Sequence, residues 1–150
     1  MLRTADRVLG LAAAVDADSE HPLARAIVAG AHARGAHPPA AAGFESLAGR
    51  GTRATVDGRA VAIGGPRLLE ELGVEPPAQL AEASAGWAAE GRTVLHLVVD
   101  GEVTGAISLE DEIRPESREA VEALHAMGLK VAMITGDSQA VADSVARRLG

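Results

Sequence analysis

The sequence has 150 residues, 14 Lys and Arg against 21 Asp and Glu, a formal net charge of -7 and no cysteine. Such a length fits roughly one domain, or one domain and a piece of another, and without cysteine there are no disulfides, thiolate metal sites or thiol nucleophiles. The acidic balance and the near-absence of aromatics, with Phe44, Trp87 and no tyrosine, argue against nucleic acid as a partner and leave the core to Ala, Val, Leu and Ile.

The opening MLRTADRVLG lacks the apolar core of a signal peptide. Runs such as Val131–Ile134 fall far short of the ~20 residues of a spanning helix, so the chain is expected to be soluble. Val8, Leu9, Leu11 and Val15 lie at helical spacing and predict a helix from Thr4 to Asp16. A second helix is expected to open at Pro22, where a missing N–H costs nothing, and to stop near Gly35. His37-Pro38-Pro39 and the alanines after it read as a loop.

The periodicity then changes to two. Phe44–Leu47, Thr52–Val56 and Arg59–Ile63 read as strands, broken by Gly49-Arg50-Gly51 and turned by Asp57-Gly58. Short helices are expected from Pro66 to Leu72, closed by Gly73, and from about Pro77 to Glu90. A second hairpin, Thr93–Val99 and Glu102–Leu109, turns at Asp100-Gly101. A further helix starts at Arg114-Pro115 and reaches Met127, before Gly128. Lys130–Thr135 is nearly all apolar and reads as a strand buried on both faces, and a helix from Ser138 to Leu149 follows. Residues 1–110 thus form a mainly antiparallel α/β domain, and 111–150 a helix–strand–helix piece of a doubly wound one. That piece is too small to cover its own strand, and an orphan apolar strand tends to pair with another chain, by self-association for example.

Four places carry usable chemistry. Ser19-Glu20-His21-Pro22, with Asp16 just before, puts a carboxylate and an imidazole at a helix mouth, where they serve either as a helix cap or as a grip on a flat polar ligand. Gly49-Arg50-Gly51 offers bare backbone to an anion or sugar, or is a plain tight turn. Ile63-Gly64-Gly65-Pro66 does the same at a strand exit. Thr135-Gly136-Asp137-Ser138 ends the apolar strand, where open α/β sheets bind ligands; Thr135 suits a phosphoryl oxygen and Asp137 a metal–phosphate site, although Asp137 or Ser138 also suits a helix cap. The histidines His32, His37, His96 and His125 do not converge in zinc-ligand spacing.

Taken in order, Ser19–Ala24, Gly49-Arg50-Gly51, Gly64-Gly65, Asp111-Glu112-Ile113-Arg114-Pro115 and Thr135-Gly136-Asp137 resemble the cytoplasmic ATP-binding part of heavy-metal-transporting P-type ATPases. Arg114–Val121 and Thr135–Ser138 look most like the copper-exporting branch. The resemblance implies an antiparallel, helix-flanked nucleotide-binding domain over residues 1–110, then a hinge and a partial haloacid-dehalogenase-like phosphorylation domain over 111–150. It implies ATP and Mg2+ as cofactors. Asp16, His21, Gly49, Gly51, Gly64 and Gly65 would line the nucleotide pocket, Asp111 and Arg114 the hinge, and Thr135, Gly136 and Asp137 the phosphate and magnesium side. Partners would be the transporter's phosphorylation, actuator and membrane domains, at the cytoplasmic face of the cell membrane.

Two departures stand out. The family usually has glutamate, which hydrogen-bonds the adenine, where this chain has Asp16, shorter by one bond of about 1.5 Å. Many relatives have asparagine where Gly65 stands, a side-chain hydrogen bond worth roughly 0.5–1.5 kcal/mol. The family's phosphorylated Asp-Lys-Thr-Gly-Thr aspartate and its Gly-Asp-Gly-x-Asn-Asp motif do not occur. The sequence therefore reads as a partial or truncated product with no catalytic residue of its own, expected to be inactive alone. The rival readings are a haloacid-dehalogenase-like phosphatase, which needs an aspartate nucleophile at the end of an early strand, and a non-catalytic interaction module indifferent to ATP.

Overall fold

The computed structural model describes residues 4–136 and 139–150. Helix α1 runs Thr4–Asp16 and α2 runs Pro22–Ala33. Strands β1 (Ala41–Leu47), β2 (Gly51–Val56) and β3 (Arg59–Gly64) follow, then helices α3 (Pro66–Leu72) and α4 (Ala78–Ala89). Strands β4 (Thr93–Val99) and β5 (Glu102–Leu109) complete an antiparallel sheet in chain order, β1-β2-β3-β4-β5. Helices α5 (Pro115–Ala126) and α6 (Gln139–Leu149) come last.

The apolar alternation sorts the sheet's faces. Ala54, Val56, Val61, Ile63, Leu97 and Val99 turn toward α1 and α2 and form the core with Ala12, Ala13, Val15, Ile27 and Ala31. Small residues along α1 let it lie close to the sheet, and a β-carbon on Gly105 of β5 would stand 2.7 Å from Val8. On the other face α3 and α4 pack over β3, β4 and β5. There His96 is buried, its Nε2 3.1 Å from Ser84 Oγ of α4, and burial lowers its pKa. Its Nδ1 has no hydrogen-bond partner. Both expected hairpin turns form, with φ of 50° and 76° at Asp57 and Gly58 and 50° and 83° at Asp100 and Gly101. Positive φ at both central residues matches the twist of the strands.

The structure departs from the sequence reading in two places. Strand β1 begins at Ala41, inside the expected loop, because Ala41 and Ala42 pair with Val56 and Thr55 beyond an irregularity between Ala42 and Glu45. Gly43, with φ +67°, sits in that irregularity. Lys130–Thr135 is not a strand. Its residues join no ladder, and Val131, Met133 and Ile134 are exposed, Ile134 at 99%. A strand needs another strand to pair with, and among the described residues no strand pairs with this segment. Of the doubly wound piece, the described residues form two helices and no sheet.

Helix α6 rests against the end of the sheet. Gly91 lies close under the Ala140 carbonyl, and Arg148 Nη1 contacts Glu110 Oε1 at 2.7 Å. Glu110 also lies 3.8 Å from Arg92. The same Arg148 guanidinium donates to the Asp111 carbonyl at 3.5 Å.

Candidate functional site

Asp16 is the last residue of α1, and its carbonyl accepts from the Ser19 N–H at 3.0 Å, turning the chain toward α2. The His21 N–H donates to Ser19 Oγ at 3.3 Å. His21 is the N-cap of α2, its Nδ1 accepting from the Leu23 N–H at 3.2 Å, with Pro22 at the first helical position. The cap consumes Nδ1 in the neutral ring, so the proton lies on Nε2 and that atom remains available to a ligand. Of the two readings of His21, the cap is therefore realised, and it is compatible with the other.

Opposite this mouth the sheet brings up bare backbone. Gly49, with φ +70°, lies in the turn where the Arg50 N–H donates to the Leu47 carbonyl at 2.9 Å. Gly51 and Gly64 pair across β2 and β3. A β-carbon on Gly51 would stand 2.0 Å from the Ile63 carbonyl oxygen, and one on Gly64 2.1 Å from that of Arg50. The strand crossing itself demands these glycines, and the bare backbone on offer is its by-product.

Asp16, His21, Gly49, Gly51 and Gly64 line one cavity of about 250 Å³. Its apolar wall is Leu23, Ala24, Ile63 and Leu95. Arg50 stands at its edge, paired with Glu71 of α3. Asp16 is 4% exposed, and its Oδ1 accepts from Thr52 Oγ1 of β2 at 2.6 Å. Burial raises the Asp16 pKa, against the opposing pull of the Thr52 hydroxyl and of His21. Thr52 is the contributor that the sequence reading missed. It follows Gly51 directly, but only the folded sheet carries it to a carboxylate 36 positions away.

The remaining candidates lie elsewhere. Gly65 is the N-cap of α3, its carbonyl accepting from the Leu68 N–H, and is not part of the cavity wall. Asp111 and Arg114 lie in the link from β5 to α5, where Arg114 is the N-cap of α5. Thr135 and Gly136 are exposed and outside the cavity wall, and with no strand at 130–135 they do not form the expected sheet edge. Asp137 lies outside the described residues. Among the described residues no three His, Asp or Glu come together to hold a metal ion, and no helix is long and apolar enough to cross a membrane.

This architecture has relatives. The sequence profile of the haloacid dehalogenase-like hydrolases matches residues 2–150, and the chain belongs to that family. Within it, the chain is 44% identical over 148 residues to the "Probable copper-exporting P-type ATPase V" of Mycobacterium tuberculosis, covering 99% of this chain and 19% of the relative. A zinc-transporting PIB-type ATPase solved in its E2.Pi state superposes with a TM-score of 0.79 and 33% identity, over 96% of this chain and 23% of the other. The N-domain of HMA8, a copper-transporting P-type ATPase, superposes with a TM-score of 0.59 and 27% identity, over 71% of this chain and 89% of that one. The chain spans about a fifth of the length of the curated relatives it matches.

Proposed function

We propose that residues 1–110 are the nucleotide-binding domain of a heavy-metal-translocating P-type ATPase, that they bind ATP, and that residues 111–150 belong to its phosphorylation domain. The observation that carries this reading is the convergence of Asp16, His21, Gly49, Gly51 and Gly64 on one cavity. About 250 Å³ is slightly below the roughly 300–1,000 Å³ of small-molecule pockets, so it suits a flat base and leaves the triphosphate outside. There the phosphates would reach an aspartate carried by another part of a longer protein. Asp16 would accept from the base's exocyclic amine, His21 Nε2 and its ring would meet the sugar or base, and the glycine backbone would pass close beneath. Gly65, outside the wall, has no direct part in the pocket on this reading.

Magnesium would arrive on the nucleotide's phosphates, because no three described carboxylate or imidazole groups are gathered to cage it. Copper is favoured as the transported ion, since the copper-exporting relative is 44% identical and the zinc-transporting structure 33%. A free-standing phosphatase is disfavoured, because Asp16 and Asp18 lie at the end of helix α1 and just after it, not at a strand end. A few polar contacts, less the cost of association, suggest an affinity from millimolar to high micromolar, about -4 to -6 kcal/mol.

Titrating ATP into isotopically labelled protein tests the reading. The amides of His21, Gly49, Gly51 and Gly64 should shift together and saturably. An ATP response confined to residues away from these would refute it.

A further inference from the structure

We propose that the side chains of Arg50 and Arg67 seat the nucleotide's phosphate tail at the rim of this cavity, and that Glu71 is a resident counter-ion which the tail displaces from Arg50. The proposal rests on the nucleotide-binding reading above. Its basis is one juxtaposition. Arg50 lines the cavity and its Nη1 is paired with Glu71 Oε2, while Arg67 Nη1 reaches the same rim, 3.8 Å from where a β-carbon on Gly49 would stand.

A cavity that holds a base must let the phosphates out, and charge decides on which side. The α1–α2 end is acidic, with Asp16 in the wall and Asp18 and Glu20 beside it in the connection between the helices. A polyanion is repelled there, and the chain as a whole carries a net charge of -7. At the β1–β2 turn the sign reverses. Among the described residues that line the cavity, Arg50 is the one arginine or lysine, and Arg67 of α3 adds a second guanidinium. A side chain at Gly49 would meet that guanidinium, so the glycine leaves it open to a ligand on the rim.

Glu71 follows Arg67 by four positions, on the same side of α3. Its pair with Arg50 is open to water, the two side chains being 43% and 41% exposed. Such a pair is weak, whereas a phosphate presents a guanidinium fork with oxygens side by side and a larger charge. Arg50 can thus exchange Glu71 for a phosphate without ever losing a partner. Arg67 has no ion pair among the described residues and gives nothing up. A nucleoside without phosphates gains nothing from either arginine, so the seat discriminates by phosphate number and not by base.

Amide-shift titrations of the full chain with ATP, AMP, adenosine and inorganic tripolyphosphate test the proposal. The variants are Arg50→Gln, Arg67→Gln, Glu71→Gln and the double variant Arg50→Gln with Glu71→Gln. The unaltered chain should bind ATP more tightly than AMP, and AMP more tightly than adenosine. Arg50→Gln and Arg67→Gln should each weaken ATP about three- to fivefold and leave adenosine unchanged. Glu71→Gln should tighten ATP about two- to threefold, which a merely structural role would not do, and that gain should vanish in the double variant. If adenosine and ATP shift His21 and Gly51 and the arginine variants alter neither affinity, the seat is wrong while the nucleotide reading stands. Tripolyphosphate that binds the rim as tightly as ATP would overturn the seat as well, by showing a general anion patch. A gain from Glu71→Gln that survives in the double variant would overturn the counter-ion role. If neither adenosine nor ATP binds the unaltered chain, both readings fall.

Discussion

Gly51 and Gly64 face each other across β2 and β3 at a distance that admits no β-carbon on either. The clash on Gly51 is with the Ile63 carbonyl, and that on Gly64 with the Arg50 carbonyl and with Leu68 of α3. All involve backbone or packed core, which yields only by shifting a strand or helix.

Alanine at Gly51, where φ is +142°, should therefore cost about 2–4 kcal/mol from overpacking and backbone strain, alanine at Gly64 about 1–3 kcal/mol from overpacking alone, and both should weaken ATP binding. Gly65→Ala makes the contrast, since a β-carbon there meets nothing within 4 Å and its φ is -83°. It should be neutral within about 0.5 kcal/mol. Urea unfolding of the three variants checks the order; a Gly65→Ala as damaging as Gly51→Ala would contradict the packing account.

His21 has two roles that different substitutions separate. His21→Ala loses the bond to the Leu23 N–H, worth about 1 kcal/mol as a helix cap, and loses the ring. His21→Asn restores a strong cap without the ring. Both should weaken the ATP response several-fold, but only alanine should lower the melting temperature. If asparagine binds ATP as well as histidine does, the ring plays no part in recognition.

The two buried titratable groups give opposite pH dependences. Burial lowers the pKa of His96, so the unfolded chain takes the proton first, and stability falls as pH drops through and below 6.5. Burial raises that of Asp16, so the native state holds the proton longer, and stability from this group rises as pH falls toward 3.8. Urea midpoints from pH 8 to pH 5 should decline in the unaltered chain, and His96→Leu should flatten that decline. A decline that persists in full in His96→Leu would place its source elsewhere.

Incubation with labelled ATP and Mg2+ should leave no hydroxylamine-labile phosphate on the protein. The sequence contains no Asp-Lys-Thr-Gly-Thr nucleophile, and in-line transfer needs a positioned carboxylate. A stable acyl-phosphate would show that Asp16 or another carboxylate takes that part.

The sequence revealed most where structure is local. Pro22, Gly35 and Gly73 mark helix ends by their own backbone preferences, and Asp57-Gly58 and Asp100-Gly101 force tight turns without help from elsewhere. Pairing is different in kind. Nothing near Ala41 announces that the chain has already joined β2, because the partner residues lie fifteen positions ahead at Val56. Lys130–Thr135 has the composition of a buried strand, and no strand among the described residues pairs with it. At the site, His21 and the glycines were visible as types, but not why Gly51 and Gly64 are obligatory, and the Thr52–Asp16 bond was not visible at all. Both depend on how close the fold brings two separated backbones.

Glu110 has a consequence for movement. It receives Arg92 from before β4 and Arg148 from the final helix, all three substantially open to water. Ion pairs so placed are worth at most about 1 kcal/mol each. The hydrophobic sheet and its helices are welded by burial, whereas the last helix, with no fully buried residue, is moored to them by half-buried packing at Gly91 and by screened charge. Such a mooring is weaker than a buried core, so the link beginning at Glu110 is where a swing of the last helix costs least.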